Sequence, residues 1–504
     1  MRSRLRALLR LDASENGAVL VWAAGSLVVL LAFAALSVDL AWLYLNVSRL
    51  QNASDAAALA AVVNAPGFMT QAQTDAEGAA AANGFPVGGA NTVTTTLLSD
   101  NKVQATLTTN VPTYFLRAIG INSFDVTRRS TAEYIKPVPM GSPSNCFGIG
   151  YAAALPSGGC GGATQNFWAA IQGQATAKEH GDPYATRCDW ARSSGNCTDS
   201  VNDGSGAPWD ANSDPLNPDF RPTGYYYGVE IPSGKTSFTV QLYDAGFYDR
   251  SGFGETGDEE SLTKTASGGT DMHFELRMVD TTPLNPTDNP PIASCRRDIN
   301  SGASSSTYKN KWVNLCTIND PTPGIYVLNV WSTGANIGGS NSYSLNVTAT
   351  PAGNVRIYGI NDMSIFTNAP SGQATVYLAE VDPIYAGKRL ELKFYDPGES
   401  SGNGFMSVQM PDGTIPICTW FAEDMDGNTT TPVTGQCRIQ TTVNGNAQYN
   451  KRWIIASIDI PDPGVYTCTG DCFWTMDVDL NTSHDRTTWT ARVIGNPVRL
   501  IPNP

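Results

Sequence analysis

The sequence predicts a membrane-anchored α+β protein: a long N-terminal helix with a small α/β region, then a mainly-β exterior with two repeated β-sandwich domains. Three observations predict it. Residues 18–38 are an uncharged apolar run, all ten cysteines follow residue 145, and the second half repeats one order of strands and turns. Composition agrees. Only 15% of residues are charged, against 48 Gly and 31 Pro, which suits turn-rich extracellular β domains better than a cytosolic helical enzyme. A chain of 504 residues is expected to hold more than one domain. A net charge of −14 repels phosphate backbones and excludes nucleic acid as a partner.

The apolar run AVLVWAAGSLVVLLAFAALSV lies between Glu15 and Asp39 with no ionisable residue inside it. At about 1.5 Å per residue it reaches across a hydrocarbon core of about 30 Å. Arg2, Arg4, Arg6 and Arg10 precede it, so residues 1–17 read as a basic cytoplasmic segment and the bulk of the chain as extracytoplasmic. The expected location is the bacterial cytoplasmic membrane, crossed once. A cleaved secretory signal is the competing reading, with Ala32-Phe33-Ala34 as a weak cleavage site. Against it, the helical pattern continues past the membrane edge: Leu43, Val47 and Leu50 share one face, and Ala53–Val63 is rich in alanine. Residues 18–64 are therefore read as a transmembrane helix with an amphipathic extension.

The block VDLAWLYLNVSRLQNASDAAALAA, residues 38–61, together with Gly17 and the apolar run, resembles the N-terminus of TadG-like proteins of tight-adherence (Flp) pilus assembly. The resemblance extends to about residue 135 and makes 65–135 a small α+β region. There Val103–Thr109 reads as a strand, Tyr114–Ile119 as a short helix and Phe124–Ala132 as a returning strand. It implies the membrane and other Tad/Flp assembly proteins as partners. Two departures qualify it. Pilin-like members carry Glu five residues after the cleavage-site Gly, and that position is Trp22 here, which favours an uncleaved factor over a filament subunit. The metal motif of a von Willebrand factor A-type domain is also incomplete in Asp203-Gly204-Ser205-Gly206-Ala207.

Residues 136–220 read as a linker, KPVPMGSPSN first, and a disulfide-containing lead-in. Two sandwich repeats follow, over 221–350 and 355–500. Phe238, Val240 and Leu242 run to Tyr243-Asp244, as Leu390, Leu392 and Phe394 run to Tyr395-Asp396. Cys295-Arg296 precedes Trp312, as Cys437-Arg438 precedes Trp453, and both tryptophans are expected in the core. Pro323-Gly324-Ile325-Tyr326 matches Pro463-Gly464-Val465-Tyr466. Period-2 alternation in each copy is the mark of half-buried strands. The Pro-Gly-x-Tyr entry is also similar, more weakly, to β-sandwiches of the pre-peptidase C-terminal type, a likeness that concerns fold alone.

An even cysteine count in an exported segment argues for disulfides over free thiols or zinc. Local pairing suggests Cys146–Cys160, Cys188–Cys197, Cys295–Cys316, Cys418–Cys437 and Cys468–Cys472. The repeat fits this imperfectly, because Ser457 stands where Cys316 would align. No GxSxG, HExxH or P-loop string occurs, and His180, His273 and His484 are far apart, so no enzyme and no catalytic residue is expected. No cofactor is expected either, with calcium at Asp424, Asp426 and Asn428 as the one candidate, since they set oxygens at alternate positions of a Gly turn. Asp249, Asp258, Glu259 and Glu260 form a second acidic patch, read as solvated. Tyr225-Tyr226-Tyr227 could display rings to a surface glycan or protein, though a strand would bury alternate members. The function read from all this is a non-catalytic envelope protein of Flp pilus assembly. The alternative is a surface adhesin, or glycan- or protein-binding module, carried by the sandwiches.

Overall fold

The computed structural model describes residues 16–503 apart from 66, 100, 135–136, 151–159, 161–164, 174–175, 189–215, 248–258, 261–269, 281–284, 301–306, 335–338, 369–371, 399, 401, 481–483 and 496–497. The chain forms two compact units, Met1–Ile135 with Pro497–Pro504, and Lys136–Asn496.

In the first unit α1 (Asn16–Val62) is one unbroken helix, and α2 (Met69–Ala82) follows a short turn. Three antiparallel strands come next: β1 (Thr92–Ser99), β2 (Lys102–Pro112) and β3 (Ser123–Tyr134). The strand β2 buries Val103, Ala105, Leu107 and Val111 and turns the intervening polar residues outward. Against that face lie Leu50, Ala53, Ala57, Ala61 and Val62 of α1 and Ala72, Ala76 and Ala80 of α2. The alanines recur every fourth residue on α2, a small-residue stripe along which its backbone can approach its neighbours closely. Each fully buried Leu or Val here is worth about 1.5–3 kcal/mol. The expected strand–turn–strand is present with longer strands, and the expected short helix is a 3-10 turn, Leu116–Ile119. A fourth strand comes from the far end of the chain. Val498–Ile501, placed by sequence at the close of the second sandwich, pairs instead with Thr131–Tyr134 of β3.

In the second unit the first repeat supplies β5 (Tyr225–Ile231), β6 (Ser237–Tyr243), β7 (Thr270–Arg277), β8 (Pro291–Ile299), β9 (Trp312–Asn319), β10 (Gly324–Gly334) and β11 (Gly339–Thr350). Before them comes β4 (Phe167–Gln172), and after them β12 (Arg356–Gly359) and β13 (Asp362–Asn368). The second repeat supplies β14 (Gln373–Glu380), β15 (Arg389–Tyr395), β16 (Gly404–Gln409), β17 (Ile417–Glu423), β18 (Val433–Gln436), β19 (Arg438–Val443), β20 (Trp453–Asp459), β21 (Phe473–Asp479) and β22 (His484–Ile494). One small sheet orders β8-β7-β10-β5-β12, and its counterpart runs β14-β21-β16-β19. Reversed, the second order is β19-β16-β21-β14, which matches β8-β7-β10-β5 of the first repeat; β12 extends the first sheet beyond β5, and Asn446–Ala447 extends the second beyond β19. The facing strands, β9-β6-β11 and β20-β15-β22, are not separate sheets. They join through β4 and β13 into one twelve-stranded sheet, β9-β6-β11-β4-β13-β22-β15-β20-β17-β18 along its main path.

The repeats share a local device at the end of their first large-sheet strand. Asp244 and Asp396 both adopt φ of 52°, a left-handed conformation that Asp tolerates. Asp244 Oδ1 accepts the N–H of Asn310 at 3.0 Å, and Asp396 Oδ1 accepts that of Lys451 at 2.6 Å. Trp312 and Trp453 stand two residues further on, their rings 5.4 Å from Tyr243 and 5.1 Å from Tyr395. Both tryptophans are half-buried rather than core residues, standing at the first position of β9 and of β20, next to the loops that bring the chain back from Asn310 and Lys451.

Four disulfides are formed among the described residues: Cys146–Cys160, Cys295–Cys316, Cys418–Cys437 and Cys468–Cys472. Cys188 is also disulfide-bonded, and Cys197 lies outside the described residues. The misalignment at Ser457 has a structural cause. Cys295 on β8 and Cys316 on β9 tie the small sheet to the edge of the large one. In the second repeat β17 is added outside β20, with Thr419 opposite Ser457 and Cys418 opposite Ile458. The large-sheet cysteine has moved one strand outward, and Cys437, next to β19, has stayed.

Candidate functional site

From Val19 to Val38 the large side chains of α1 are exposed on every side: Leu20 at 71%, Trp22 at 79% and Phe33 at 64% among them. A helix apolar all round and bare of protein contacts is built for lipid. From Asp39 onward the same helix changes character. Trp42, Leu43 and Val47 are partly buried, and Leu50 is wholly so. The block after Leu50 has a specific fit. Gln51 Nε2 donates to Asp55 Oδ1 and to Ser130 Oγ of β3, each at 2.9 Å, and Ser130 donates back to Asp55. Ser54 Oγ donates to the carbonyl of Ala105 on β2 at 3.2 Å. One helix thus carries a lipid-facing half and a folded half.

Asp39 marks the joint. Its carboxylate, 2% exposed, accepts the backbone N–H groups of Tyr114 (2.8 Å), Phe115 (2.9 Å) and Leu116 (2.7 Å) in the β2–β3 loop. Charge-assisted bonds of this kind are strong for their type. Beside it the indole of Trp42 meets the ring of Tyr114 edge-on at 5.6 Å. The sequence exposes Asp39 as the first ionisable residue after the span, but its partners are backbone groups and leave no side-chain signature.

Residues 17–65 match the model of the Flp pilus-assembly TadE/G-like family. This segment is TadE/G-like. Its function is pilus-related, and its apolar half is a single membrane anchor with the bulk of the chain beyond it. No curated protein matches the chain. Among solved structures it is similar, at 11% identity, to the N-terminal CBM22-1–CBM22-2 tandem domain of Xyn10C from Paenibacillus barcinonensis, over 54% of this chain and 79% of that one, with a TM-score of 0.13. It is similar at 8% identity to a protein from Parabacteroides distasonis ATCC 8503 described as secreted, over 72% and 89%, with a TM-score of 0.13. Scores this low carry no argument about fold or function.

Beyond the TadE/G-like segment, the remaining sequence candidates have structural uses. Tyr225 and Tyr227 are at most 1% exposed and Tyr226 is 9%, so the triple tyrosine displays no ring. Tyr227 hydroxyl meets that of Tyr343 at 2.8 Å, joining the two sheets of the first repeat. In the β17–β18 hairpin Asp424 Oδ1 accepts the N–H groups of Asp426 (3.0 Å) and Asn428 (2.8 Å), and Oδ2 accepts from the Asn428 amide at 3.1 Å. Burial opposes ionisation of Asp424, but the hydrogen bonds from Asn428 and Asp426 together outweigh it and hold its carboxyl below the usual range. The three calcium candidates are brought together as a self-closed turn, and no group of three or more His, Cys, Asp or Glu among the described residues is arranged to hold a metal. His273 bridges Asp298 and Thr333, each at 2.5 Å, and stacks on Trp331. Asp203–Ala207, Asp249 and Asp258 lie outside the described residues, as do the side chains of Glu259, Glu260 and His484.

One polar cluster escaped the sequence reading. Asp182 Oδ1 accepts the Tyr225 hydroxyl at 2.7 Å and the Tyr184 N–H at 2.9 Å, while Arg221 pairs with Asp362 and lies 3.3 Å over the Tyr184 ring. Burial pushes the Asp182 carboxyl up to about 6, against the pull of the Tyr225 hydrogen bond. Beside it is a cavity of about 20 Å³, room for about one water. Gly181 turns with φ of 88°, and a side chain there would strike the Arg486 carbonyl at 2.0 Å. Gly181-Asp182 thereby staples the lead-in to β5 and β22, and Arg221 ties it to β13.

Proposed function

We propose that this chain is a non-catalytic, membrane-anchored assembly factor of the tight-adherence (Flp) pilus, with its N-terminus in the cytoplasm and its disulfide-bonded sandwiches outside. There it engages other Tad components. One observation carries the reading: past Asp39 the TadE/G-like helix is committed to its own base, with Leu50, Ala53, Ala57 and Ala61 sealed against α2 and the β1–β3 sheet. A filament subunit that packs through its helix needs that flank free. Trp22, in place of the pilin Glu, supports the same distinction. The orientation is supported by the arginines before the span and by disulfides after it, which persist in oxidising compartments.

The test is N-terminal sequencing of the membrane-extracted protein, combined with deletion in a pilus-forming host. The expected result is a start at Met1, retention in the membrane fraction, and loss of pili while pilin is still made. Recovery in sheared filaments with a start at Ala18 overturns the proposal. Normal pili with lost surface binding would favour the adhesin reading.

A further inference from the structure

We infer that the β2–β3 loop, residues 113–122, is a second membrane contact: an interfacial foot that rests in the lipid headgroup region beside the transmembrane helix. The inference depends on the single-anchor reading and adds a surface to it.

The loop is the most apolar exposed segment of its unit outside the helix. Tyr114 is 48% exposed, Phe115 51%, Ile119 74% and Ile121 40%. In a soluble setting such a cluster would be a liability; next to a bilayer it is an attachment. Its level is fixed by Asp39, whose carboxylate holds three of its N–H groups at 2.7–2.9 Å. Asp39 is the first residue past a run that itself matches the hydrocarbon thickness, so the loop backbone lies at the outer boundary of that layer. The exposed apolar side chains of α1 run past this level, through Leu40 to Tyr44 and Leu45, so the helix still presents apolar surface at the height of the loop.

The chemistry of the loop suits that depth. Tyr114 and Trp42 are amphipathic rings of the kind enriched at membrane interfaces, and Arg117 can reach phosphate while its stem stays apolar. Irregular backbone is tolerated near lipid only when its polar groups are satisfied. Besides the three N–H groups held by Asp39, Ala118 N–H donates to the Phe115 carbonyl, Gly120 to Arg117, Ile121 to Leu116, and the Thr113 hydroxyl to the Ile121 carbonyl. Gly120, with φ of 91°, ends the 3-10 turn between the exposed Ile119 and Ile121. Two attached points, helix and foot, fix the rotation of the first unit about the helix axis.

The experiment uses the full chain in vesicles of phosphatidylcholine and phosphatidylglycerol, with an environment-sensitive fluorophore on Ile119→Cys, Leu30→Cys or Ser99→Cys. All three positions are exposed, so labelling does not disturb packing. Quenching by lipids spin-labelled at shallow or deep acyl positions reads depth. The expected result is shallow quenching and a blue shift at position 119, deep quenching at 30 and none at 99. In Asp39→Ala the signal at 119 should be lost while that at 30 persists. Quenching at 30 with a water-exposed label at 119 overturns the foot and leaves the anchor standing. No quenching at 30 overturns both. Crosslinking of position 119 to a protein in cells, without lipid quenching, would give this face to a partner and also overturns the proposal.

Discussion

Asp182 is a carboxyl with no exposed edge, raised by burial to about 6 from an ordinary 3.8. The folded state therefore holds its proton more tightly than the unfolded chain does. Below about pH 4 both states are protonated and the group is neutral in its effect; as pH rises to about 6 the unfolded chain ionises first, and stability falls. In Asp182→Asn the amide oxygen still accepts from Tyr225 and Tyr184, and the pH dependence is gone. The variant's thermal stability should gain on the wild type by up to about 3 kcal/mol between pH 4 and pH 7. A pH-independent difference in melting temperature would show that Asp182 titrates normally. The paired Asp244 and Asp396 give a second test. Asp396→Ala removes both the acceptor for Lys451 N–H and the residue's tolerance of φ 52°, and should cost about 2 kcal/mol in chemical denaturation. Asp396→Asn keeps both and should cost under about 1 kcal/mol.

Among the elements, the disulfides differ in how much chain they close. Cys295–Cys316 spans 21 residues and Cys468–Cys472 only 4. Replacing the first pair by Ser should lower stability by about 3 kcal/mol and the second by about 2, measured by denaturation under non-reducing conditions. Equal losses would mean that loop closure is not the main contribution. The strands that sequence exposes are those with one wet face, such as β6 and β15, where every second residue is apolar. β4 is legible only as an edge strand or lead-in, for the opposite reason. All of Phe167–Gln172 is buried, so FWAAIQ shows no alternation, and nothing local tells that it joins two sandwiches into one sheet. α2 was hidden by its alanines, which bury a face without an apolar signature. The insertion of β17 and β18 was legible only as a cysteine out of register. At the membrane joint, Asp39 and the apolar turn are both visible in the sequence, but only the fold brings residues 75 to 77 positions apart into one hydrogen-bonded site.

For the molecule as a whole, the two units are joined by two chain crossings, since β3 ends where the second unit begins and Val498–Ile501 returns beside it. Arg499 pairs there with Glu133 at 2.6 Å, a carboxylate only 2% exposed. Deleting residues 497–504 should strip protection from β3 in amide hydrogen exchange and leave the Lys136–Asn496 unit unchanged. Unchanged protection at Thr131–Tyr134 would show that the sheet is complete without its last strand. Arg499 and Glu133 are 366 positions apart. Contacts so remote in sequence form late. Until residues 498–501 dock, the sheet of the first unit is one strand short and the outer edge of β3 is open. Any chain that lacks residues 498–501 keeps that edge bare, a template on which a strand of another molecule can pair.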